Sequence, residues 1–144
     1  MHPRIHVVTL AVADLERSLA FYRALGLESP GIGGTEYIAD DEHPGGAVAM
    51  FNLEGGLILA LYGRSDLAKD AGIPIGQPSA GEFSLGHAVP TRDDVDVLLE
   101  QAVAAGAEAL GEPHDRPWGI YSAYFRDPDG HLWEIVWNPD LDLN

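Results

Sequence analysis

Apolar and polar residues alternate from Ile5 to Val12, and apolar residues then recur at helical spacing as Leu15, Leu19 and Tyr22 before Gly26. The first stretch, rich in β-branched residues, predicts a half-buried strand; the second predicts a helix with one apolar face. Asp14 stands between them as the N-cap and Gly26 as the stop. A short carboxylate accepts from free N–H groups of the first turn, and glycine enters the left-handed conformation without a Cβ penalty. Residues 29–35 read as a loop. Strands follow at Glu36–Ala39, Val48–Leu53 and Leu57–Tyr62, separated by Asp40–Gly46 and by the Glu54-Gly55-Gly56 turn. Arg64–Gly81, with Gly72, Pro74, Gly76 and Pro78, has no clear period and predicts a connector with a short helix at Ser65–Ala71.

The pattern then begins again. Phe83–Val89 predicts a strand, Thr91 with Asp94 a capping pair, and Val95, Leu98, Leu99, Ala102 and Val103 the apolar face of a second helix. A hairpin, Trp118–Arg126 with His131–Trp137, closes the chain across Asp127-Pro128-Asp129-Gly130, whose acidic residues are turn formers. Set one above the other, VVTLAVADLERSLAFYRALG (Val7–Gly26) and HAVPTRDDVDVLLEQAVAAG (His87–Gly106) align without a gap at a spacing of 80 residues. Asp14 falls on Asp94, Leu15 on Val95 and Gly26 on Gly106. Self-similarity of this kind marks a repeated structural unit. The fold class is α+β, a single domain with module one at about 1–63, a connector at about 64–81 and module two at about 82–140.

Composition narrows the function. Eight Lys+Arg against 23 Asp+Glu give a formal net charge of −15 over 144 residues. Such a field repels phosphate backbones and anionic lipid, which argues against nucleic-acid and membrane partners. No apolar run approaches the ~20 residues of a membrane span, and Val7–Val12 is too short for a signal peptide, so a cytoplasmic protein is expected. With no cysteine, disulfides, thiolate ligands and cysteine nucleophiles are excluded.

Three segments carry a family likeness: VTLAVADLERSLAFYRALGL at Val8–Leu27, HAVPTRDDVD at His87–Asp96, and YFRDPDGHLWEI at Tyr124–Ile135. On these the chain resembles the vicinal oxygen chelate superfamily of glyoxalase I, extradiol dioxygenases, fosfomycin-resistance enzymes and bleomycin-resistance proteins. The resemblance implies two paired βαβββ modules whose mixed sheets form a cup, with helices outside, and it implies a homodimer. It also implies, in metal-dependent members, a divalent ion on up to four side chains. Two come from the opening strands, seven residues before the helix Asp, and two from strands four residues past a turn glycine. These positions are Val7 and Ala60 in the first module, which cannot bind a metal, and His87 and Glu134 in the second, which can.

His87 and Glu134 are therefore expected on adjacent strands, within bonding reach of each other and facing the cup. Strand alternation sends Trp133 and Ile135 toward the helices and Glu134 toward the cup. A buried carboxylate needs a partner, and a His–carboxylate pair can act as a general base or as a strut. Two protein ligands are too few for a tight site, since open catalytic sites keep three plus water. Glu36, His43, His114 and Tyr121 are the donors chemically able to complete the set. A zinc, nickel, manganese or iron ion would then be held weakly or substoichiometrically. Trp118 and Tyr121, near the HDRPWGI stretch, are expected to form a stacking wall for a small organic ligand. The function read from the chain is bleomycin-resistance-like sequestration of that ligand in an apolar cup, an antibiotic-resistance type of role. The alternative is an enzyme. It would be a glyoxalase-type lyase or a dioxygenase with a metal on His87 and Glu134, or a metal-free isomerase with Glu134 as base.

Overall fold

The computed structural model describes residues 1–79 and 81–143. The chain divides into two compact units, Met1–Gln77 and Pro78–Asn144. Together they carry three α-helices and two mixed sheets of four and five strands among the described residues, an α+β fold.

In the first unit, β1 (Val7–Val12), α1 (Leu15–Ala24), β2 (Ile32–Gly33), β3 (Val48–Asn52), β4 (Ile58–Gly63) and α2 (Arg64–Ala71) follow in order. The sheet runs β1-β4-β3-β2, with β1 parallel to β4 and the other pairs antiparallel. Asp14 caps α1 by accepting from the Arg17 N–H, and Gly26 takes φ +96 just past its end, as the local chemistry predicts. One face of the sheet carries Leu10, Val12, Ala49, Phe51, Leu59 and Leu61, all buried, against Leu19, Phe21 and Tyr22 of α1. The Tyr22 and Phe51 rings meet edge-on at 5.9 Å. Burial of this apolar area is what holds the helix to the sheet.

One strand lies elsewhere than its sequence suggests. The apolar stretch in Glu36–Ala39, set between turn-forming segments, predicts a strand, yet the strand is Ile32–Gly33, and residues 35–37 turn. Gly34 at φ +73 passes so close to Gly46 that an added Cβ would lie 2.1 Å from the Gly46 carbonyl oxygen. The Tyr37 N–H closes back on the Gly34 carbonyl at 3.1 Å, and the Gly46 N–H on the Tyr37 carbonyl at 2.9 Å. That backbone pinch overrides the local side-chain pattern.

The second unit repeats the plan with β5 (Leu85–Ala88), α3 (Arg92–Ala105), β6 (Glu108–Ala109), β7 (His114–Asp115), β8 (Tyr121–Arg126) and β9 (Leu132–Trp137). Its sheet runs β5-β9-β8-β6, and β7 also pairs with β8. The short strands β6 and β7 carry too few residues to show a period. Thr91 and Asp94 form the full capping box at the start of α3. Val95, Leu99 and Ala102 form its buried stripe, while Val103 is exposed. At the hairpin, Asp127 accepts from the N–H groups of Asp129 and His131 at 2.9 and 2.8 Å, and Gly130 takes φ +88. Those acidic residues are turn formers, as expected.

The two units do not superpose at a single spacing. Both helices end at equivalent glycines, Gly26 and Gly106, 80 residues apart, but their N-caps are Asp14 and Thr91, 77 apart. Helix α3 has 14 residues against 10 in α1, and three of the four extra residues lie at its start. Among the described residues no helix is long and apolar enough to cross a membrane.

Candidate functional site

The extra turn in α3 moves the opening strand relative to the gapless repeat, and the sheet register shows by how much. In the first sheet Thr9 stands opposite Ala60; in the second, Gly86 stands opposite Glu134. Thr9 and Gly86 are again 77 apart. Ser84, just ahead of β5, is thus the counterpart of Val7, and His87 falls three residues further on.

A shift by an odd number exchanges the faces of a strand. His87 is in register with Ile135, whose side chain is buried, whereas Glu134 is in register with Gly86 on one side and Tyr124 on the other. The expected pair does not form: alternation directs the His87 ring and the Glu134 carboxylate to opposite faces of the sheet. His87 lies on the edge strand and is exposed.

The two faces differ in what covers them. Helix α3 packs on β8 and β9. Its side of the sheet carries buried Ala123, Phe125 and Ile135, with the Phe125 and Trp133 rings stacked at 6.2 Å. Tyr121 belongs to this side. Its phenol donates to Asp96 of α3 at 3.1 Å, and the Arg92 guanidinium lies 3.9 Å above its ring. Tyr121 is a strut between sheet and helix, which corrects its assignment to a ligand wall.

The other face carries the polar groups. Register puts His114, Ser122, Tyr124, Arg126, Glu134 and Gly86 on it, together with Ala88, Leu132 and Val136. The Tyr124 hydroxyl donates to Glu134 Oε2 at 2.8 Å, so the carboxylate has a partner, and the partner is a phenol. That bond is the first cause of a Tyr124 pKa raised above the ordinary phenol value; burial and the Glu134 charge add to it, and a hydrogen bond from Arg116 opposes it. Arg116 also donates to Ser122 Oγ at 3.4 Å. His114 Nδ1 donates to the Glu112 carbonyl at 3.1 Å, which leaves Nε2 unengaged. A row of guanidinium, phenol and carboxylate results.

Trp118 is 83% exposed in the β7–β8 connection and takes φ +63, a conformation that costs a non-glycine residue of order 1 kcal/mol. In the first unit His43 pairs with Asp40 at 3.0 Å, and Glu36 is exposed in the 35–37 turn. Val7 and Ala60 lie on the open face of the first sheet, which carries no charged residue, beside Met50 and Ile58. A depression of about 790 Å³ also lies in the first unit, lined by Arg23, Leu27, Glu28, Ser29 and Asn52.

A divalent ion of the kind the resemblance implies does not fit these residues. Ser84 stands where that pattern wants a ligand, His87 is turned to the helix side, and one Glu134 oxygen is taken by Tyr124. No three His, Asp or Glu side chains among the described residues are grouped to hold an ion.

A sequence profile of the Glyoxalase/Bleomycin resistance protein/Dioxygenase superfamily matches residues 4–135. The crystal structure of a glyoxalase-related enzyme from Fulvimarina pelagi is 29% identical at TM-score 0.81, covering 99% of this chain and 93% of that one. A glyoxalase/bleomycin resistance protein/dioxygenase from Nocardioides is 25% identical at TM-score 0.70, covering 100% of this chain and 89% of that one. A fosfomycin resistance protein from Listeria monocytogenes, solved with Mn(II) and a dihydroxypropylphosphonic acid, is 22% identical at TM-score 0.64, with 94% and 90% covered, and shares the fold. No functionally curated protein matches the chain.

Proposed function

Because the chain belongs to the Glyoxalase/Bleomycin resistance protein/Dioxygenase superfamily, we propose that it binds a small organic molecule on the polar face of its second sheet, without a resident metal ion. The observation that carries this reading is the Tyr124–Glu134 bond. It fixes one carboxylate oxygen and leaves Oε1 to accept from a ligand. Superfamily members commonly bind divalent ions, and here any such ion is weak or substoichiometric, since one carboxylate leaves most of the coordination to water. His87 has no part in the site, and Trp118, in the β7–β8 connection, supplies an exposed aromatic surface in the same unit. The role is sequestration by a cytoplasmic homodimer, the bleomycin-resistance type of activity.

A second reading is favoured by the same free oxygen: Glu134 Oε1 is a base oriented by Tyr124, and the protein moves a proton on its ligand. Backbone NMR with a fragment library in deuterated water separates the two. Shifts clustered at residues 114–124 and 134 support binding there, and shifts clustered around His87 overturn it. Deuterium entering a bound fragment, and lost in Glu134→Gln, selects the base. Calorimetry with zinc and nickel tests the metal. Weak uptake unaffected by His87→Ala is expected, and a tight stoichiometric ion lost in that variant would overturn the metal-free reading.

A further inference from the structure

Most of the cations in this acidic chain are visibly engaged. Arg92 closes on the Asp115 carboxylate, and Arg4, Arg23, Arg64 and Arg126 each close on a backbone carbonyl. Arg116 differs. Its contacts are the neutral oxygens of Ser122, at 3.4 Å, and Tyr124, and no carboxylate pairs with it among the described residues. A guanidinium has five donors in a planar fork, so most of its hydrogen-bonding capacity points at no protein atom. It stands at one end of the polar row, and Glu134 Oε1, open to a donor, stands at the other.

We infer that the ligand of this face is a small hydroxy- or amino-carboxylate: its carboxylate is held by the Arg116 fork, and its neighbouring O–H or N–H donates to Glu134 Oε1. This rests on the proposed binding at the second sheet and adds the ligand class. A carboxylate matches a single fork in two parallel hydrogen bonds. A dianionic phosphate would need a second cation, and Arg126, which register places on the same face, is engaged with the Gly130 carbonyl at 3.1 Å in a chain of net charge −15. Gly86, opposite Glu134, leaves room, because an added Cβ there would meet nothing within 4 Å.

Three probes dissect the row by NMR titration at pH 7: mandelate, methyl mandelate, which lacks the charge, and phenylacetate, which lacks the hydroxyl. Mandelate should bind tenfold or more tightly than the ester and severalfold more tightly than phenylacetate, with shifts at residues 114–124 and 134. Arg116→Gln should reduce mandelate to the level of the ester and leave the ester unchanged; Arg116→Lys should fall between. The spectra themselves report whether each variant is folded. An ester that binds that face as well as mandelate does would overturn the ligand class and leave the binding face standing, as would phenylacetate equal to mandelate. No shift on that face with any probe would overturn both.

Discussion

The two sheets share one plan and present opposite open surfaces. Away from α1, the first shows Val7, Thr9, Val48, Met50, Asn52, Ile58, Ala60 and Tyr62, none of them charged; away from the face that carries α3, the second shows Ala88, His114, Ser122, Tyr124, Arg126, Leu132, Glu134 and Val136, with a carboxylate and a guanidinium among them. Their helix sides are alike in carrying the buried apolar residues of each unit. The difference follows from what each surface must do. A helix-bearing side has to supply burial in every copy of the unit, so it tolerates little besides apolar residues. An open side is released from that demand, and chemistry can be placed there without altering the fold.

The sharpest way to break this contrast is to give the first sheet the charge of the second. Ala60 is 3% exposed and occupies the register position of Glu134. Ala60→Glu would set a carboxylate beside Met50 and Thr9 with no phenol opposite, and should cost about 2–3 kcal/mol in urea unfolding. A near-neutral result would mean the two faces are equally able to carry charge. The converse change removes the partner in the second sheet. Tyr124→Phe leaves Glu134 without its donor and should cost about 1–2 kcal/mol, while Glu134→Gln, which keeps an acceptor, should cost less. Equal losses would show that the pair is not what makes this face polar.

Where the units are alike, mutations should agree. Asp14→Ala and Thr91→Ala each remove an N-cap and should each lower stability by about 1 kcal/mol. The smallest effect concerns pH. The phenols of Tyr62 and Tyr121, shifted first by burial, and of Tyr124, shifted first by Glu134, all lie above the ordinary value of 10.0. The folded state then holds these protons more tightly than the unfolded chain. Their contribution is complete below pH 10 and is lost as pH rises through the folded values. Phenolate absorbance should appear late in the native protein, and Tyr124→Phe should remove the part due to a carboxylate. Ionisation of all the tyrosines at or below pH 10 would contradict the pairing.

Local rules were legible in the sequence because they depend on neighbours. Asp14, Gly26, the Thr91–Asp94 box and the Asp127–Gly130 turn act over three or four residues, and each does what its chemistry predicts. The second-sheet site was half legible. Matching Gly26 to Gly106 gives a true spacing at the helix ends, but a helix can lengthen at its start without disturbing its end. That hidden turn displaced the strand by an odd number, and His87 changed faces. Tyr124 could have been found by counting outward from the turn, since Arg126 opposite Leu132 places Tyr124 opposite Glu134. Arg116 had no such signal, because β7 is two residues long and joins β8 through the left-handed Trp118–Gly119 turn.

Gly86 gives the second sheet an unusual standing in sequence space. It faces Glu134 across the register, has no positive φ to protect and has open space where a side chain would begin. A change of one amino acid there would set a hydroxyl, a carboxylate or an imidazole beside Glu134 without disturbing the core. The scaffold is thereby one step from several different chemistries, and homologues with serine, aspartate or histidine at this position would be expected to diverge in what they hold before they diverge in how they fold.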